Sequence, residues 1–299
     1  MTGASPFTTG GLLTQDYLID AIKASKQYQA VNVGQMRDEI TAVLAGFPHH
    51  TKPNEATTEK DVIWPIMALL GWDSYLTQQN LSDKGRDDVP DGLLFIDAAA
   101  KSRANAIPQE WKRYDCGVTI IEAKRWGRAL DRAEGRKGDD KDTPSTQILR
   151  YLRRIDDLTS AKLRWGILTN GAKWRLYFSG ARSTIDDYLE IDLERVLNLK
   201  PDLLDVGITQ EDRDHWLAVF LAMFSRGAFE RQGAQAQSFH DVARENSAYY
   251  EERIAKGLAT LVFNDLYPAL GKAVAAEAQA GTPLDEIRET TLILLYRLL

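Results

Sequence analysis

The sequence predicts an α/β fold, with strands and intervening helices over residues 55–190, a helical extension before them (1–54) and an α-helical region after them (191–299). Three observations carry this. Short apolar runs bounded by turn residues read as strands: Leu93-Leu94-Phe95-Ile96, Val118-Thr119-Ile120-Ile121, Trp165-Gly166-Ile167-Leu168-Thr169 and Trp174-Arg175-Leu176-Tyr177-Phe178. Helical spacing lies between them, most clearly over residues 145–155. From Asp192 onward only helical spacing remains.

At 299 residues the chain suffices for one large domain or two smaller ones. Its hydrophobic share of 44% and charged share of 27% are those of an ordinary globular protein, so a sizeable buried core is expected. No apolar run nears the roughly 18–20 residues of a membrane span, so no membrane partner is expected, and the opening MTGASPFTTG lacks signal-peptide character. The one cysteine, Cys116, excludes an internal disulfide and a cysteine-based zinc finger, and suits a reducing, cytoplasmic setting. His49, His50, His215 and His240 have no metal-ligand spacing. A net charge of −6 argues against a chain that mainly coats nucleic acid, yet is compatible with a DNA enzyme whose basic residues are local. No Gly-x-x-x-x-Gly-Lys-Ser/Thr occurs, so no ATP phosphate loop is expected.

In chain order, residues 14–46 read as two helices, one with Tyr17, Leu18, Ala21 and Ile22 on a face, the next with Met36, Ile40, Val43 and Leu44. A polar connector precedes a helix over 55–71, with Thr57 or Thr58 as its cap and Gly71 as its end. Glu55 and Glu59 stand four apart near its start, where acids favour a helix N-terminus; alternatively, one of them reaches a metal cluster. Residues 73–90 are polar, and Ser82-Asp83-Lys84-Gly85-Arg86-Asp87-Asp88 is expected to be a mobile loop. Residues 127–143 are densely charged, either a solvated run or a flap over phosphates. Ser145 or Thr146 then opens a helix whose buried stripe is Ile148, Leu152 and Ile155, with Gln147, Arg150, Tyr151 and Arg154 gathered on a side suited to a phosphate backbone. Thr169-Asn170-Gly171-Ala172 carries a hairpin signal. The closing run Thr291-Leu292-Ile293-Leu294-Leu295-Tyr296-Arg297-Leu298-Leu299 is an apolar helix without a cap, and the natural chain is expected to continue beyond it.

Chemistry concentrates in residues 90–124. Pro90-Asp91-Gly92 leads into one strand, and Glu122-Ala123-Lys124 ends another. The alternation of a strand sends Glu122 and Lys124 to one face and Ala123 to the other. Asp91, Glu122 and a backbone carbonyl make a donor set for a hard divalent ion, with a lysine beside it. Such a set suits metal-assisted attack of water on a phosphodiester. The same patterns recur in Glu110-Trp111-Lys112 and Pro201-Asp202, but the first lies in a polar connector and the second follows a helical segment.

Together, Pro90-Asp91, Glu122-Ala123-Lys124 and Gln147-x-x-x-Tyr151 resemble the PD-(D/E)xK nuclease superfamily, in its Gln-x-x-x-Tyr branch. The helix over 55–72 and Thr169-Asn170-Gly171-x-x-Trp174 also look like the nuclease end of restriction enzymes. The helical tail is similar to the connector before the methyltransferase domain of single-chain type IIG restriction-modification enzymes. The resemblance implies a restriction-endonuclease-like mixed sheet flanked by helices, and a Mg²⁺-dependent DNA endonuclease in which Mn²⁺ can substitute. Asp91, Glu122 and the Ala123 carbonyl would bind the metal, Lys124 would orient or activate water, Gln147 would help position it, and Tyr151, Arg150 and Arg154 would support the site or meet DNA. The family's helix-borne acid maps to Glu59 or Glu55. Double-stranded DNA, transient pairing on DNA and the remainder of a longer chain are the implied partners. The methyltransferase and recognition domains, and S-adenosylmethionine with them, would lie in that remainder. A catalytically inactive DNA-binding or assembly module, or a repair or recombination nuclease, are the competing readings.

Overall fold

A computed structural model describes residues 5–48, 51, 53–133, 142–183, 185–200, 205–231 and 236–298. The chain forms two compact units, Met1–Glu245 and Asn246–Leu299. The boundaries expected after residues 54 and 190 both fall inside the first.

The first unit is α/β. Its seven-stranded sheet has the order β1-β7-β6-β5-β4-β3-β2, with β1 at Thr8–Thr9, β2 at Tyr75–Thr77, β3 at Gly92–Leu94, β4 at Thr119–Ala123, β5 at Trp165–Thr169, β6 at Lys173–Phe178 and β7 at Tyr188–Asp192. β4 and β5 run parallel and the other pairs antiparallel, so the sheet is mixed. The parallel pair needs a crossover, which is the helix α7 at Pro144–Thr159, and the antiparallel β5-β6 pair needs only a tight turn. In that turn Gly171 takes φ +85°, while Asn170 Oδ1 accepts the N–H groups of Ala172 and Lys173.

Alternation along each strand divides the apolar residues between two cores. Leu94, Ile121, Ala123, Ile167, Leu176 and Ile191 face one, with α3 (Val33–Ala45), α5 (Trp64–Leu69) and α9 (Gln210–Phe224). Leu93, Ile120, Leu168 and Tyr177 face the other, with α6 (Ala98–Asn105) and α7. Every residue of β4 and β5 is buried, as a strand covered on both faces requires.

Several elements differ from the sequence-based expectation. Residues 1–54 are not helical throughout: Thr8 and Thr9 pair with Ile191 and Glu190 at the sheet edge. α9 is no part of a separate helical region, because residues 216–224 are buried without interruption and Trp174 meets Phe220 and Phe224 edge-on at 5.5 and 6.0 Å. The helix over 55–71 is capped by Asn54, whose side chain accepts the Thr57 N–H at 2.8 Å, rather than by either threonine. It consists of α4 (Glu55–Thr58), a π-turn at Glu59–Ile63, and α5. The π-turn suits Pro65: it has no N–H for the Asp61 carbonyl and its ring would clash with that carbonyl in a regular α-helix, and the Trp64 N–H reaches back to Glu59 O. Residues 80–88 form a loop with its own hydrogen bonds: the Asn80 amide donates to Ser82 O and Gly85 O, and the Leu81 N–H to Asp88 O. α7 starts at Pro144 with Thr143 as its cap.

The second unit is helical. It contains the greater part of α10 (Phe239–Leu261), a π-turn at Val262–Leu266, α11 (Tyr267–Glu277) and α12 (Leu284–Leu298). Its π-turn again precedes an aromatic-proline pair, Tyr267-Pro268, and the Tyr267 N–H donates to Val262 O. Among the described residues no helix is long and apolar enough to cross a membrane.

Candidate active site

β4 sends Ile121 and Ala123 to one core and Glu122 to the α7 side of the sheet. The Lys124 N–H donates to Thr169 O at 2.8 Å, prolonging the pairing with β5, and Lys124 Nζ lies 2.6 Å from Glu122 Oε1. Asp91 stands just before β3, whose register sets Gly92 opposite Ile121, and its Oδ2 accepts the Ala123 N–H at 2.8 Å. Glu55 Oε1 is 3.9 Å from Lys124 Nζ. Glu59, in the π-turn, accepts a hydrogen bond from the Trp64 side chain and lies within the field of Asp91 and Glu55. The structure thus brings together Asp91, Glu122, Lys124 and both helix-borne acids.

Carboxyls outnumber ammonium groups in this cluster, and burial makes the excess charge costly. Burial first, then Asp91, pushes Glu122 up to about 8, against the pull of Lys124. Burial raises Asp91 to about 6, opposed by Lys124 and by the Ala123 N–H. Burial, then Asp91 and Glu55, raises Glu59 to about 7. Burial would lower Lys124, but Glu122, Glu55 and Asp91 outweigh it and hold the ammonium above its ordinary range.

α7 covers the cluster with residues whose polar character points, in the sequence, to a wet, DNA-facing side. Gln147 and Tyr151 are buried, and the Gln147 amide donates to Tyr151 OH at 2.7 Å. Burial, then Glu122, raises the phenol. Arg150 and Arg154 do lie on the outer side, but both are engaged by Asp88.

Other contacts support the site in ways the sequence does not signal. Thr58 Oγ1 accepts the Trp126 N–H at 3.0 Å, tying α4 to the turn after Lys124. Asn170 donates to Arg128 O at 2.8 Å, and Arg175 grips Asp131 through two bonds of 2.7 Å, fixing the next stretch of that turn. Each is an ordinary polar residue whose partner lies tens of residues away. Of the charged run, Glu134, Arg136, Lys137, Asp139, Asp140 and Lys141 lie outside the described residues, and so does the middle of the expected flap.

In donor chemistry the cluster fits a divalent cation. Glu122 Oε2 is buried and meets no hydrogen-bond partner among the described residues, a costly state for a carboxylate that a cation would relieve. Among the described residues, however, no three His, Cys, Asp or Glu side chains converge closely enough to hold an ion as they stand. The Lys124 ammonium takes the other Glu122 oxygen, and Asp91 accepts the Ala123 N–H.

No family model, curated protein or solved structure matches this chain. Its functional reading therefore rests on the geometry of this cluster.

Proposed function

We propose that this chain is a Mg²⁺-dependent DNA endonuclease of the PD-(D/E)xK type, with a restriction-endonuclease-like core, serving restriction-modification or phage defence. The observation that carries the reading is Glu122 Oε2, buried and without a hydrogen-bond partner among the described residues, on a carboxylate that pairs with Lys124 and lies in the field of Asp91. Asp91, Glu122 and the Ala123 carbonyl would hold the cation, with Glu55 or Glu59 placed to bind its outer waters. A divalent ion there supplies polarisation of the scissile phosphate and an acidified water. The chain's own residues do the rest. Lys124 offsets the charge that develops on the phosphoryl oxygens. Gln147, whose amide donates to Tyr151 OH, would help to position the attacking water. Double-stranded DNA is the substrate.

The test is cleavage of supercoiled plasmid with Mg²⁺ or Mn²⁺. Nicking or linearisation is expected from the wild type and its loss from Asp91→Ala, Glu122→Gln and Lys124→Ala. Uncut DNA in all four, with the variants indistinguishable from wild type, overturns the proposal.

One observation favours a second reading, a non-catalytic DNA-binding or assembly module: Lys124 already neutralises one oxygen of Glu122. Titration calorimetry separates the two, since a scaffold binds neither Mg²⁺ nor Mn²⁺ at Asp91 and Glu122, and a nuclease binds one of them in the wild type but not in Glu122→Gln.

A further inference from the structure

Arg150 and Arg154 stand one turn apart on α7, and Asp88 joins them. Arg150 Nε donates to Asp88 Oδ1 at 3.0 Å and Arg154 Nη1 to Asp88 Oδ2 at 2.7 Å, one carboxylate oxygen to each guanidinium. Arg154 Nη2 also donates to Ser82 Oγ at 2.9 Å, and Arg150 pairs with Asp142. Asp88 is buried, 7% exposed, whereas about a third of each arginine side chain meets solvent (39% and 35%). Arg150 also lies 5.6 Å over the ring of Tyr151, which ties this cluster to the Gln147-Tyr151 pair.

A phosphodiester has two non-bridging oxygens, and two guanidinium forks bind them as they bind the two oxygens of a carboxylate. We infer that Arg150 and Arg154 form a subsite for a backbone phosphate of DNA, and that Asp88 is the resident anion which fills it in the free protein. The inference rests on the nuclease reading and adds a substrate contact to it. Asp88 holds both arginines in a phosphate-binding arrangement, and it screens their charge until a nucleic-acid strand displaces it together with the loop over residues 80–88. That displacement breaks two ion pairs between a buried carboxylate and partly exposed arginines, and with them the Arg154–Ser82 and Leu81–Asp88 bonds of the loop, so the free protein holds the subsite closed and a polyanion must supply the difference.

Binding of a short fluorescein-labelled duplex, measured by anisotropy in EDTA over a range of salt, tests this without cleavage. Asp88→Asn is expected to bind roughly tenfold tighter than wild type, with a log K against log salt slope steeper by about one to two, at about 0.9 for each further phosphate neutralised. Adding Arg150→Gln and Arg154→Gln to Asp88→Asn should erase both effects. Arg154→Gln in the wild-type background, which leaves the loop its remaining bonds, should make the slope shallower by about 0.9; this arm decides the matter should Asp88→Asn melt early. A folded Asp88→Asn protein with weaker binding or an unaltered slope overturns the inference. So does stabilisation of Asp88→Asn by inorganic phosphate as large as that given by duplex, which would assign the subsite to a free anion. Plasmid cleavage with slopes blind to all three residues sinks the subsite alone. The expected slopes without cleavage sink the nuclease reading alone, and no DNA binding by any protein sinks both.

Discussion

Lys124 Nζ lies 2.6 Å from one oxygen of Glu122, while the other oxygen, equally buried, has no hydrogen-bond partner among the described residues. The pair is therefore half satisfied, and without Lys124 the Glu122 carboxyl, already held up to about 8 against that ammonium's pull, takes a proton instead of staying ionised. Lys124→Met is expected to destabilise the metal-free protein by about 1–3 kcal/mol at pH 8, the usual cost of leaving a buried polar group without its partner. Glu122→Gln should cost less or stabilise. Urea unfolding measures both, and equal losses would show that the pair does not govern local stability.

The raised carboxyls set a pH dependence. Asp91 at about 6, Glu59 at about 7 and Glu122 at about 8 lie above the ordinary 3.8–4.5, so the folded protein binds more protons than the unfolded chain between these limits. Their contribution to stability is complete below about pH 4 and is lost as pH rises through 6 to 8. Millimolar Mg²⁺ should raise the melting temperature at pH 8.5 and have little effect at pH 5, where protons occupy the same oxygens. A melting temperature indifferent to Mg²⁺ at pH 8.5 contradicts this.

His240 acts in the opposite sense. It is fully buried between Trp165 and Phe229, at ring distances of 4.7 and 4.3 Å, and donates from Nε2 to Met223 O at 2.7 Å. Burial lowers it from 6.5 to about 4. Its folded value is depressed, so stability is intact above about pH 6.5 and falls as pH drops toward 4, by about 3 kcal/mol in all. His240→Phe should flatten that acid limb, read by denaturant melts at pH 4.5 and 6.5, although it leaves the Met223 carbonyl without a donor. A limb unchanged in the variant would place the acid sensitivity elsewhere.

Gly92 is required by a close approach. A Cβ there would stand 2.7 Å from Ile121 Cγ2 and 2.9 Å from Trp64 Cη2, and Trp64 both stacks on Tyr75 at 4.2 Å and hydrogen-bonds Glu59. Gly92→Ala is expected to cost about 1–3 kcal/mol and to lower cleavage by moving Trp64 and, with it, Glu59. Thermal melting and plasmid cleavage read the two effects, and an unshifted melting temperature would mean that Trp64 yields freely.

What the sequence made legible was local. The period-2 alternation of β4 is enough to put Glu122 and Lys124 together, and Asn170-Gly171 is enough to mark the β5-β6 turn. Distant pairings left no such trace. Thr8 and Thr9 are two residues without pattern, and only their pairing with Ile191 and Glu190 makes them a strand. The apolar density of α9 signals burial but not the sheet it is buried against. Gln147 and Tyr151 mislead for a different reason: polar residue types suggest a wet face, and a polar cluster beneath α7 makes the buried face suit them instead. Asp88 is, in the sequence, one acid among several in a loop, and only the fold shows Arg150 and Arg154 holding it.

The widened turn at Glu59–Ile63 has a consequence for the acid before it. An added residue in a helical turn rotates everything upstream by roughly 100° about the axis. The compass bearing of Glu55 thus follows from the π-turn that Pro65 favours, and a chain allowed to anneal there into regular α-helix would swing its carboxyl away from Lys124.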